Sequence, residues 1–320
     1  MINNIQVLRA FAAINVVLFH IIGIASTYSQ NVYSLQLFKS WGANGVDIFF
    51  VISGFVALYT QMSRRKTTTD FLKTRFIRII PIYWLLTLSV IFLFYLAPDI
   101  FRTITLSPLW ILSSLFFMSQ PLMGTDPIVY VGWTLEWEML FYIIFSLSLI
   151  ARTWLFLLLL VNTFVLLISL ITGNSIIMEF LLGLVIAYIV HQKTYPPLWG
   201  FIILLIGIFF LSLSLFPGIQ VLQINRFIIW GIPSFLIVIG SIYAWQLNNR
   251  LLLFLGDASY SIYLIQMFTI PAFYKASSKV MSGINGDVLA ISCLAFCLLI
   301  SCLFYKYIEK PITNYLRKFI

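Results

Sequence analysis

Only two of the 320 residues are histidines, and His20 is placed in an apolar run, Ile5–Ser26, with Phe19, Ile21 and Ile22 as neighbours. An imidazole can take up a proton near neutral pH. Arg9 lies eleven positions earlier in the same run, about three helical turns or roughly 16 Å along the axis, so both side chains share one stripe. Three carboxylates, Asp47, Glu136 and Glu138, fall in two further apolar runs. Unpaired in lipid each is costly; gathered round a cavity, they would orient and tune an imidazole. Arg75 and Arg78, three apart just before Pro81, share a helix face. Two guanidiniums so placed suit an anion such as phosphate in bidentate geometry. Each residue also has a plainer role: snorkelling for Arg9, a hydrogen bond within a bundle for His20, topology for the arginine pair.

The elements that must hold these groups are membrane helices. Hydrophobic residues make up 62% of the chain and charged ones 9%, against about a quarter charged in soluble domains, and the mean hydropathy is +1.03. Runs long enough to cross about 30 Å of hydrocarbon occur at roughly 5–26, 44–62, 79–97, 129–150, 154–172, 176–191, 198–216, 227–245, 258–278 and 288–305. The expectation is an all-α polytopic bundle of about ten transmembrane helices forming a single domain, 1–320. An apolar piece at 109–119 is too short to span and reads as re-entrant or interfacial. The N-terminal run lacks a charged n-region and a small-residue cleavage site, so it reads as an uncleaved span.

Positive charge orients the bundle. With the N-terminus in the cytoplasm, inside segments hold Arg64, Arg65, Lys66, Lys73, Arg75, Arg78, Arg152, Lys193, Arg250, Lys306, Lys310, Arg317 and Lys318, and outside segments hold Lys39, Arg102, Arg226, Lys275 and Lys279. This asymmetry follows the positive-inside rule and places both termini in the cytoplasm. His20, Asp47, Glu136 and Glu138 then fall at a similar depth in the outer halves of their spans. The net charge of +9 reads as topology and anionic partners, with no nucleic-acid module. Cys293, Cys297 and Cys302 all lie in the last run without a nearby histidine, which makes neither a disulfide framework nor a zinc site; no metal is expected.

In this order and spacing the residues resemble the acyltransferase-3 family of bacterial membrane O-acyltransferases. The resemblance covers nearly the whole chain. It starts with Leu8-Arg9-Ala10 and His20, and passes through the Gly45–Phe55 segment and Arg75-Phe76-Ile77-Arg78 with Pro81 and Tyr83. It then takes in Trp133-Thr134-Leu135, Glu138, Phe141 and Tyr142, followed by Leu255-Gly256, Ser259-Tyr260-Ser261 and Tyr263-Leu264, and closes on Tyr305, Glu309 and Pro311. Two departures stand out. Gln266 occupies the place where many members have a histidine, and the expectation is a stand-alone transmembrane domain without the esterase-like domain fused in many members.

The resemblance implies ten spans in the bacterial inner membrane, with cytoplasmic acyl-CoA, usually acetyl-CoA, as co-substrate. The acceptor it implies is a carbohydrate hydroxyl, whether of O-antigen, capsule, exopolysaccharide or a lipid-linked glycan. His20 is then the expected base or a transient acyl carrier. Glu138 and Asp47 would hold its tautomer or stabilise imidazolium, as a third group does in a triad. Arg75 and Arg78 would grip the CoA phosphates and Arg9 would line the donor path. Trp133, Glu136, Tyr142 and Tyr260 are the acceptor-side candidates, with packing as the competing role in a chain that is 17% aromatic. Glu309 matches a family motif with its role open. A transporter or flippase for a lipid-linked sugar is the rival class, since many carriers also bury charges, yet no repeat relates the two halves. A scaffold without chemistry leaves His20, Asp47 and Glu138 unexplained.

Overall fold

The computed structural model describes residues 2–28, 32–97, 106–151, 153–216, 225–280 and 284–319, without the side chains of 278–280. Arg102, Arg152 and the side chain of Lys279, used above for orientation, lie outside the described residues.

Every regular element among the described residues is helical, as expected where lipid leaves backbone groups to be satisfied within the segment. In chain order these are α1 (Asn3–Ala25), α2 (Asn44–Ser63), α3 (Thr68–Leu96), α4 (Pro108–Leu115), α5 (Trp133–Ser148), α6 (Trp154–Thr172) and α7 (Glu179–Gln192). They are followed by α8 (Pro197–Leu213), α9 (Ile232–Tyr243), α10 (Arg250–Asp257), α11 (Ser259–Val280), α12 (Gly286–Phe304) and α13 (Lys310–Leu316). π-helical turns at Phe227–Gly231 and Tyr305–Glu309 lead into α9 and α13.

Each of the ten predicted runs carries a helix, but length and composition sort them. Among the described residues six helical stretches are long and apolar enough to cross a membrane, or seven if the bent pair α10–α11 counts as one span. Pro197–Leu213 and Phe227–Tyr243 are shorter apolar helices. Two expectations are refined. The polar connection expected over 63–75 becomes helix from Thr68, because Thr67 accepts the Asp70 N–H and caps α3 before its apolar part begins; Arg75 and Arg78 therefore sit inside a 29-residue helix. The run expected at 258–278 is entered through α10, which meets α11 at a 67° bend. Asn249 caps α10 by accepting the N–H groups of Leu251 and Leu252.

The chain divides into two compact units, 1–65 with 165–305 and 66–164 with 306–320. In the first, α1 packs against α2, α10, α11 and α12. Ala13, Val17, Ile21 and Ala25 of α1 share a core with Ala258, Ile262, Ile270, Tyr274, Ala290, Cys293 and Cys297. Asn4 fixes the start of α1: it donates to the Ser241 and Trp245 carbonyls (2.8 and 3.0 Å) and accepts the Leu247 N–H at 2.8 Å. α2 packs along α7, where Gly54 meets the Phe180 carbonyl and Gly183 the Val51 carbonyl, leaving no space for a Cβ on either. Small residues at a crossing are how membrane helices bring backbones together. In the second unit α3 packs against α4, α5 and α13. The fully buried Tyr83 donates to the Ser114 carbonyl at 3.1 Å and so ties the 107–132 connection to α3. Large apolar side chains stay exposed along α6, among them Leu155, Phe156, Leu159, Leu170 and Ile171, as they do where lipid is the solvent.

Candidate active site

The first unit carries His20, Arg9, Asp47 and Tyr260. His20 is half-buried in the second half of α1, its ring edge-to-face with Phe19 at 4.8 Å. Arg9, also half-buried, donates to Gln6 Oε1 at 3.1 Å, and Gln6 donates on to Asp257 Oδ1 at 3.0 Å. The arginine expected on the donor path thus joins a polar chain between α1 and the end of α10. Asn15, between Arg9 and His20 in sequence, donates to Asn44 Oδ1 at 3.3 Å, coupling the middle of α1 to the start of α2. Tyr260 is buried in the first turn of α11. Gln266 is buried as well and donates to the Tyr263 carbonyl at 2.7 Å, within its own helix.

Asp47, at 0% exposure in the first turn of α2, has a partner that the sequence did not suggest. Arg226 donates from Nε to Asp47 Oδ1 at 3.0 Å and from Nη2 to Asp47 Oδ2 at 2.7 Å, the bidentate fork that suits a carboxylate. Nη2 also reaches the Ala43 carbonyl at 3.2 Å, and the guanidinium lies over the Trp230 ring at 4.7 Å. Asp47 was expected to serve an imidazole; both of its oxygens accept from a guanidinium. Beside them stands Glu179, the first residue of α7, also at 0% exposure. Its carboxyl is within hydrogen-bonding reach of Asp47, and a Cβ on Gly231 would come to 3.3 Å from it. Two carboxylates repel by about 4 kcal/mol at 4 Å for an effective dielectric of 20. A helix N-terminus returns only about 0.3–1 kcal/mol to an anion there. Arg226 and Glu179 are the residues that sequence reasoning missed. Glu179 was detectable, being an acid inside the apolar run 176–191; Arg226 sits in a polar connection and looked like a topology charge.

The second unit carries Arg75, Arg78, Trp133, Glu136, Glu138, Tyr142 and Glu309. Phe71 and Arg75 are four apart on α3, and Tyr142 comes from the facing α5. The Arg75 guanidinium lies 5.2 Å from the Phe71 centroid and 5.0 Å from that of Tyr142, beside two rings that meet edge-to-face with their centroids 5.9 Å apart. Desolvated cation–π contacts of this kind are worth about 2 kcal/mol each. Arg75 is itself buried, at 7% exposure. Arg78 and Glu138 stand close enough to interact electrostatically with Arg75. The Tyr142 hydroxyl donates to Glu138 Oε1 at 2.6 Å, an i,i+4 pair on α5. Glu136 is fully buried, and its Oε2 accepts the Gln120 N–H at 2.6 Å. The loop it holds is further tied by Gln120 donating to Asp126 at 2.8 Å and by the Ile128 N–H on Ser114 Oγ at 3.0 Å. An acid placed by sequence on the acceptor side therefore works on the 119–128 segment. Tyr142 is likewise buried, its ring given to Arg75, while Trp133 is half-buried at the start of α5. Glu309 is buried at the end of the π-turn before α13. Among the described residues no three His, Cys, Asp or Glu side chains form a group that could hold a metal ion.

An Arg–His stripe on α1, an arginine against two aromatic rings on α3 and an acid–tyrosine pair on α5 lie along a sequence whose residues 2–308 match the family model described as an acyltransferase domain. The chain belongs to the acyltransferase-3 family. As a member of it, the protein is an enzyme class that transfers acyl groups, built as a multi-pass helical membrane protein. It is 34% identical over 290 residues to a protein of Rhizobium meliloti (strain 1021) named exopolysaccharide production protein ExoZ, the alignment covering 85% of this chain and 89% of that one. No solved structure matches this acyltransferase-3 chain.

Proposed function

We propose that the protein is an inner-membrane O-acyltransferase that moves an acyl group, most readily acetyl, from cytoplasmic acyl-CoA to a hydroxyl of an exopolysaccharide or its lipid-linked precursor. The observation that carries this reading is the family match over 2–308 together with an ExoZ relative named for exopolysaccharide production. In the reaction, the acceptor oxygen attacks the thioester carbonyl while the His20 imidazole takes the hydroxyl proton. Collapse of the tetrahedral intermediate expels the CoA thiolate, and the proton passes from imidazolium to that thiolate. The partial exposure of His20 supports its role as base, since a sealed imidazole meets no substrate. Arg75 and Arg78 hold the CoA phosphates. The two ring contacts support this for Arg75, because they stabilise its positive charge without neutralising it. Ten spans with both termini in the cytoplasm complete the reading, placing the arginine pair towards the donor and His20 towards the acceptor.

The test uses membranes supplied with labelled acetyl-CoA and the host's exopolysaccharide. Label enters the glycan as a base-labile ester with the native protein. His20→Ala abolishes transfer and leaves CoA binding in place; transfer retained by that variant would refute the assignment of the base. Mass spectrometry of surface glycans from cells with and without the gene identifies the hydroxyl that gains the acyl mass.

A further inference from the structure

Asp47 and Glu179 are two fully buried acids beside one guanidinium, and Arg226 is committed to Asp47 through both of its forked donors. Neither oxygen of Glu179 receives an N–H or O–H donor among the described residues. The group within its hydrogen-bonding reach is itself an acceptor, the Asp47 carboxyl. Two carboxyls can bond only when a proton lies between them. The other charged or titratable groups at this place are Arg226, reached from the segment before α9, and Tyr263 of α11, which interacts with Arg226. Among the described residues no second cation faces the pair, so one positive charge stands against two potential negative ones on fully buried carboxyls, and a net buried charge there is strongly disfavoured. Packing holds the acids together: Gly54 and Gly183 close the crossing of α2 and α7, and Gly231 leaves room for the Glu179 carboxyl. Ser175, just before α7, donates to Asn225 Oδ1 at 3.0 Å and fastens the segment that carries Arg226 to the start of that helix.

We propose that Glu179 is a positioning residue that holds a proton and, as a neutral acid, donates it to Asp47, so that the Asp47 carboxylate stays fixed on Arg226. Resting on the acyltransferase reading above, this makes Asp47 the anchor of a guanidinium in the enzyme and not the group that orients an imidazole. The proton is held, not transferred.

Infrared difference spectroscopy of the purified full-length protein, native against Glu179→Gln, tests the protonation directly. The expected result is a carbonyl stretch of a protonated carboxylic acid at neutral pH that is lost in Glu179→Gln. Asp47→Asn shifts the same band, because the acid loses its charged acceptor. In transfer assays Glu179→Gln restores most of what Glu179→Ala loses, and it removes the fall in rate at alkaline pH that follows loss of this proton. A native spectrum without such a band, or a band that Glu179→Gln leaves in place, overturns the proposal. Failure of the acyltransferase reading shows separately, as no acyl transfer by the native protein, and leaves the infrared result standing.

Discussion

Arg226 and Arg75 are both guanidiniums in apolar surroundings, and the two regions keep them there by opposite means. Arg226 spends its forked edge on Asp47 at 2.7 and 3.0 Å and rests one face on Trp230. Arg75 lies against the rings of Phe71 and Tyr142, and among the described residues it makes no bidentate ion pair. A carboxylate neutralises an arginine and uses its donors; aromatic faces stabilise the charge and spare them. The first arrangement neutralises the charge, and the second leaves it un-neutralised, as the proposed grip on the CoA phosphates requires.

Variants of the two regions should therefore separate stability from ligand affinity. The largest effect on folding is expected from Asp47→Ala, which leaves Arg226 without its fork; breaking such a pair costs about 3 kcal/mol or more. Unfolding in detergent measures it, and an unmoved transition would show that the fork does not hold the first unit together. Arg75→Met should do the reverse, lowering CoA affinity by about tenfold, or 1.4 kcal/mol, as read by calorimetric titration, with a smaller change in unfolding. Equal CoA affinity in the two proteins would remove the distinction. Tyr142→Phe keeps the ring and deletes the hydroxyl that Glu138 accepts, for about 1 kcal/mol of stability. CoA affinity should stay as it was, because the contact with Arg75 needs only the ring. The smallest effect is expected from Thr67→Ala, which removes the cap of the helix carrying Arg75 and costs about 0.5 kcal/mol. Hydrogen exchange in the first turn of α3 would detect it as local fraying.

Legibility in the sequence differed residue by residue. Phe71 and Arg75, like Glu138 and Tyr142, are four apart on one helix, so a reader of periodicity can place each pair. That Arg75 would meet a ring from α5 as well as Phe71 was not readable, because it depends on how α3 and α5 pack. Glu136 looked like Glu138 in sequence, two acids in one turn, yet it faces a loop backbone and is buried there. The two-residue offset turns a side chain by about 200° around a helix, and only packing decides what each direction meets.

Composition and local pattern alone determined that this chain is helical, that lipid is its solvent, and which family it resembles. These properties depend on short-range matters: helical hydrogen bonds close within four residues, and a run of apolar side chains declares its surroundings wherever it packs. Tertiary structure alone decided that Arg226 pairs with Asp47 across 179 positions, that Glu179 stands beside them, and that α10 meets α11 at a sharp bend. Charges buried in a low-dielectric interior must find partners, and the partner is whichever group the helix crossings bring within reach.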